Sequence, residues 1–184
     1  LPRGTFELSQ SYLAFYNKLE RAAWFLQHVV ATADKALDDR EVDWLISAPM
    51  ADGGDWDMIC ALVKKYGVVP HEAMAETHCT NDTEELNTVL SHLLRQDAIK
   101  LRQMANEGKD TEATQLEMLN DVYRILAVCF GEPPETFDFT YVDNKKQYHA
   151  ELGTTPLEFL KKHVKINLDD YVGVINVPGE DKPY

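Results

Sequence analysis

The sequence predicts a predominantly helical α+β chain, and three observations carry that reading. Apolar residues recur every three or four positions through most of the 184 residues, the period of a helix with one buried face. Capping residues open these runs, and glycine or proline closes them. One short stretch, Phe137-Asp138-Phe139-Thr140-Tyr141, alternates apolar and polar side chains as a strand does.

Ser9 is placed to cap a first helix whose apolar stripe reads Tyr12, Tyr16, Leu19, Ala23, Leu26 and Val30, ending near Thr32. Asp38 and Asp39 open a short helix with Val42, Leu45 and Ile46 inward, stopped at Pro49. Ala51-Asp52-Gly53-Gly54-Asp55 breaks the pattern as a tight loop. A third helix then buries Met58, Ile59, Leu62, Val63 and Tyr66, with Gly67 as its left-handed cap. Val68-Val69-Pro70 is extended, and no period is visible from there to Thr80.

Asn81-Asp82-Thr83 caps a long helix through Leu86, Leu90, Leu94, Ala98 and Leu101, closed by Gly108. Thr111 starts another, with Leu116, Leu119, Tyr123, Leu126 and Phe130 along one side and Gly131-Glu132-Pro133-Pro134 ending it. The alternating strand follows, then a turn at Asp143-Asn144 and a returning strand from Lys146 to Ala150. Thr155-Pro156-Leu157-Glu158 is a capping box with proline at the first helical position, so a short helix runs to about His163. Tyr171 to Asn176 reads as a buried strand.

Composition narrows the function. A hydrophobic fraction of 45% is that of a globular protein, and no apolar run approaches the roughly 18 residues a membrane span needs. Net charge is −13, from 31 acidic and 18 basic side chains, which repels nucleic acid. Three cysteines without paired spacing argue against a disulfide scaffold and for a reducing, cytoplasmic setting.

Taken singly, the reactive residues are bland. Cys60 and Cys129 stand among apolar neighbours as small buried thiols. His78-Cys79 lacks a second pair at zinc spacing, so no metal site is expected. His92, His149 and His163 read as surface histidines. Asp52, Asp55 and Asp57 suit a turn followed by a helix N-terminus and lack the spaced ligands of a calcium loop. Gly53-Gly54 carries a second meaning: a backbone without side chains lets a ligand approach and pair along it. No nucleophile elbow, phosphate loop or dinucleotide fingerprint occurs.

Whole phrases say more. Phe6-Glu7-Leu8-Ser9-Gln10-Ser11-Tyr12-Leu13, Asp52-Gly53-Gly54-Asp55-Trp56-Asp57-Met58 and Lys65-Tyr66-Gly67-Val68-Val69-Pro70 resemble, in order, blocks of papain-like cysteine aminopeptidases of the aminopeptidase C/bleomycin hydrolase family. Met118 to Leu126, Gly131-Glu132-Pro133-Pro134, Thr155 to Phe159 and Asp169-Asp170-Tyr171-Val172 continue the likeness. Asp55 departs from it, standing where the family usually carries Gln.

The resemblance implies part of the helical lobe of a papain-like fold over residues 1–80, and over 81–184 a helical insertion, a β-hairpin and the start of the following strand region. It implies thiol chemistry, in which a histidine deprotonates a cysteine and an asparagine orients the imidazole. None of these three stands in a matching phrase here, so the chain is expected to be a catalytically incomplete segment, inactive alone, of an enzyme that removes N-terminal residues from peptides. Gly53 and Gly54 would form the substrate-binding wall, with Asp55 and Trp56 beside the adjoining side-chain pocket. The family's thiol chemistry needs no metal or organic cofactor, and its members assemble as hexameric homo-oligomers. The alternative is a non-catalytic helical protein-interaction module.

Overall fold

The structure, a computed structural model, describes residues 6–174. Helix α1 (Gln10–Ala31) starts just after the extended Ser9, whose hydroxyl accepts from the Tyr12 N–H. It packs against α2 (Arg40–Ser47), α3 (Trp56–Tyr66), α5 (Glu84–Asn106) and α6 (Glu112–Phe130), and so forms the axis of the core. Its buried side chains are Ser11, Tyr12, Phe15, Lys18, Ala22, Phe25, Leu26 and Val29. The expected stripe is thus rotated by about one residue: Tyr16, Leu19, Ala23 and Val30 are only half-buried. With neighbours on several flanks, the large rings of Phe15 and Phe25 choose the innermost line. Each removes enough apolar area from water to contribute about 1.5–3 kcal/mol.

Asp39 caps α2 by accepting from the Glu41 N–H. Val42 and Leu45 are buried there, while Ile46 is half-buried. Helix α3 ends at Gly67, whose φ is positive as expected but whose ψ of −157° is extended rather than left-handed helical. The reason is a close approach: a β-carbon on Gly67 would lie 2.4 Å from the Pro156 carbonyl carbon.

The stretch without period contains a 3₁₀ turn at His71–Ala73 and a one-turn helix, α4 (His78–Asn81), held by a Thr77/Thr80 capping box. Helix α5 buries all five of its predicted apolar residues. On α6, Met118, Val122, Leu126 and Phe130 are buried, whereas Leu116, placed inward by its spacing, is exposed. A row at intervals of four, rather than one mixing three and four, faces α1 and α5.

Strands β1 (Phe137–Val142) and β2 (Tyr148–Thr154) form an antiparallel hairpin, with Phe139 opposite Glu151 and an irregularity between Phe137 and Phe139. The return begins later than Lys146 because the turn takes more residues. The Asp143 carboxylate accepts from the N–H groups of Lys145 (2.8 Å) and Gln147 (2.9 Å), and Lys146 is left-handed. Helix α7 (Pro156–Phe159) carries the predicted capping box and continues through a π-turn at Leu160–Val164.

Residues 171–174 are exposed and unpaired among the described residues, contrary to the buried strand expected there. A buried strand needs a partner strand for its N–H and C=O groups, and no described strand pairs with this one. Ile175 and Asn176 lie outside the described residues.

Candidate functional site

The α2–α3 loop carries the Gly-Gly pair, and α1 holds it in place. Lys18 is 3% exposed, a costly position for an ammonium without partners. It donates to Asp52 Oδ1 (2.7 Å) and to Asn87 Oδ1 (2.6 Å). Asp52 Oδ2 in turn accepts from the Thr83 hydroxyl (2.7 Å) and the Asn87 amide (2.6 Å). Thr83, the cap residue of α5, therefore spends its side chain here rather than on its own helix. Burial alone would raise the Asp52 carboxyl, but the donors Lys18, Thr83 and Asn87 outweigh it and hold it below the usual carboxylate range. One turn further along α1, Arg21 donates to Asn17 Oδ1 (2.9 Å) and to the Gly53 carbonyl.

So clamped, Gly53 adopts a φ of +86° with open space where a β-carbon would sit. Gly54 faces the Met58 thioether and the Arg21 guanidinium, 3.3 Å and 3.7 Å from a β-carbon built on it. Its own N–H and C=O make no hydrogen bond among the described residues. Asp55 is the cap residue of α3 yet makes no side-chain capping bond. Trp56 is 44% exposed, its ring edge-to-face with Tyr171 at 5.7 Å. All four residues singled out from the sequence line one cleft of about 680 Å³, between the start of α1, the Gly-Gly loop and α4.

The same cleft holds residues that sequence reasoning missed, among them Ser11, Lys18 and Glu76. Lys18 had a legible signal: it falls between Phe15 and Ala22 on the apolar row of α1, where a lysine demands a partner. Glu76 lies in a stretch without period and gave none.

Elsewhere the reactive groups stay apart. Cys60 is buried, and Cys129, expected to be buried, is half-buried beside Cys79. Burial, then the neighbouring Cys79 thiol, pushes Cys129 up. No cysteine hydrogen-bonds a histidine among the described residues, and no group of three or more His, Cys, Asp or Glu side chains there is placed to hold a metal ion. His163 is not the surface histidine its lysine neighbours implied. Its side chain is 8% exposed, with Nε2 3.0 Å from Glu151 Oε2 and its ring packed on Phe139 and Phe159 at 5.0 and 5.1 Å. Hydrogen bonds from Lys162 and then His163 hold the Glu151 carboxyl down.

A helical assembly presenting an open Gly-Gly loop on a cleft, joined to a helical insertion and a hairpin, is part of the helical lobe of a papain-like peptidase. Comparison with known proteins agrees. The Peptidase C1-like family matches over residues 3–184, and the chain belongs to it. The chain is 44% identical over 182 residues to Aminopeptidase C of Lactobacillus helveticus, covering 97% of this chain and 40% of that protein. It is 46% identical over 178 residues to Aminopeptidase G of Lactobacillus delbrueckii subsp. lactis, covering 96% and 41%. Among solved structures, the crystal structure of pepw from Lactobacillus rhamnosis hn001 matches with a TM-score of 0.92 at 46% identity, over 98% of this chain and 41% of that one. The chain thus spans about 40% of the length of the curated relatives it matches.

Proposed function

We propose that this chain is a segment of a thiol aminopeptidase that removes N-terminal residues from peptides, and that it supplies a wall of the substrate cleft. The observation that carries the reading is Gly54: exposed, glycine on both sides of its peptide unit with Gly53, and with N–H and C=O unused among the described residues. A peptide laid along it in extended form pairs with both groups, as an added strand pairs with a sheet edge. Asp55 and Trp56 then flank a side chain of that peptide. The names of relatives at 44% and 46% identity support the peptide class.

Cleavage needs a thiolate with a positioned base, and Cys60, Cys79 and Cys129 do not meet that requirement. The proposal therefore assigns binding, not chemistry, to this segment. It includes a cytoplasmic setting and homo-oligomeric assembly of the whole enzyme, the latter supported by exposed apolar side chains such as Val128 on α6. No helix among the described residues is long and apolar enough to cross a membrane.

The test is direct. The chain alone is expected to leave an aminoacyl-coumarin intact while an extended peptide shifts the amide resonances of Gly53 and Gly54. Hydrolysis blocked by a thiol alkylator would refute the assignment of roles, and unmoved glycine resonances would refute the binding wall.

A further inference from the structure

Two thiols that the proposed function leaves unused meet outside the cleft. Cys79 is the second residue of α4, and Cys129 is the last but one of α6; these helices pack on each other. Thr77, the cap residue of α4, donates from its hydroxyl to the Cys129 carbonyl at 2.7 Å, which seats Cys129 on the start of α4. Both cysteines are half-buried and pack against the same core. Burial, then the charge and hydrogen bonding of the Cys79 thiol, push the Cys129 thiol up. The side chains are therefore neighbours, although 50 positions separate Cys79 from Cys129 in the sequence. The third free cysteine, Cys60, is buried on α3.

What this contact holds gives the pair its interest. Helix α4 is a single turn, too short to be stable by itself. Its own support is the Thr77/Thr80 capping box, and its tie to α6 includes the Thr77 bond to Cys129. Yet Thr80 and Asn81 line the cleft together with Gly53 and Gly54. Thr83, directly after α4, donates to Asp52 at 2.7 Å. One side of the cleft thus depends on a weak element, and the two thiols stand where a covalent bond would fix it.

We propose that Cys79 and Cys129 are a reversible oxidation site, at which a peroxide forms a disulfide that staples α4 to α6 and stiffens that side of the cleft. The Cys79 thiolate attacks one peroxide oxygen; the O–O bond breaks, and the departing hydroxide takes a proton to become water. A sulfenic acid is left on Cys79. The Cys129 sulfur then attacks the sulfenic sulfur, the S–S bond forms and the S–O bond breaks. The Cys129 proton leaves with that hydroxide as a second water. Two electrons pass from the sulfurs to the peroxide, and a thiol reductant returns them. Cys129, whose thiol is held protonated, takes the second role because the first needs a thiolate. A transient pair of this kind suits a reducing compartment, where permanent disulfides are rare.

The experiment treats the 184-residue chain with a small excess of hydrogen peroxide, alkylates it in denaturant and maps the cysteines by mass spectrometry. A product lighter by two hydrogens is expected, with Cys79 joined to Cys129 and Cys60 alkylated. Closing a loop of about 50 residues should raise Tm by about 5–10 °C, and amide hydrogen exchange at Thr80 and Asn81 should slow. Dithiothreitol should reverse all three changes. Cys129→Ser, which keeps the backbone carbonyl that Thr77 reaches, should show neither the cross-link nor the rise in Tm. In urea the same treatment should give mixed pairings, because the folded contact selects the partner. Oxidation of the folded chain without a cross-link, a bond involving Cys60, or a bond that lowers Tm would overturn the inference. A Cys79–Cys129 bond that leaves exchange at Thr80 and Asn81 unchanged would overturn the stiffening of the cleft. None of these outcomes bears on the binding wall at Gly53 and Gly54, which is tested separately.

Discussion

Gly67→Ala puts the docking of α7 on α3 to a quantitative test. Gly67 combines a φ of +75° with a ψ of −157°, a region that a β-carbon makes costly by about 1–3 kcal/mol. It also touches backbone: the added methyl would lie 2.4 Å from Pro156 C, 2.5 Å from Pro156 O and 2.6 Å from Leu157 N. Those atoms belong to the capped start of α7 and cannot turn aside as a flexible side chain would. The Val68 N–H donates to the Pro156 carbonyl at 3.4 Å across the same contact. Overpacking of this kind costs about 1–3 kcal/mol more, so the total is about 4 kcal/mol. For a chain of 184 residues that lowers Tm by about 10 °C. Gly53→Ala supplies the control, because Gly53 shares the positive φ but has open space around its β-position; its cost is the strain alone, about 1–2 kcal/mol. Urea unfolding followed by far-ultraviolet circular dichroism measures both. Equal losses in the two variants would refute the close approach as the reason for glycine at position 67.

Asp52→Ala should destabilise the chain by about 2–3 kcal/mol, because it strips the buried Lys18 ammonium of its charged partner; the value is reduced from that of a fully buried pair because Asp52 itself is half-exposed. A urea midpoint within experimental error of the parent would contradict this. The acid limb gives the matching pH test. Asp52 is held below its ordinary value of 3.8, so the folded state binds that proton less readily than the unfolded one. Its contribution is full above the ordinary value and disappears as the pH falls through the folded one, so the stability gap between the parent chain and Asp52→Asn should narrow as the pH falls below about 5. A constant gap would argue against the shift. His163→Ala should cost about 2 kcal/mol and loosen the hairpin first, since it removes a ring seated on Phe139 and Phe159 and one of the two partners, with Lys162, of Glu151. Hydrogen exchange on Phe139 and Glu151 should then accelerate more than on Leu90 of α5.

Where a signal is local, the sequence alone was sufficient. Ser9, Asp39 and the Thr155–Glu158 box cap helices where their side-chain chemistry says they should, because a cap bond spans only three residues. Helix α5 was legible down to its buried residues, since one unbroken apolar row leaves one face to bury. The glycine pair and its acidic flank were legible too, because an interruption of period followed by a new helix start can only be a loop. What tertiary contact decided is of another kind. Which row of α1 turns inmost depends on four helices meeting it, and Leu116 is exposed because α6 is oriented by Phe130 and Leu126 against its neighbours. His163 looked solvated beside Lys161 and Lys162, yet the hairpin folds over it. Lys18, Asp52 and Asn87 meet across gaps of 34 and 69 residues, and Ser11 and Glu76 reach one cleft from α1 and from the approach to α4. No short-range pattern encodes such meetings, for they come into being only when burial of the shared core brings distant segments together.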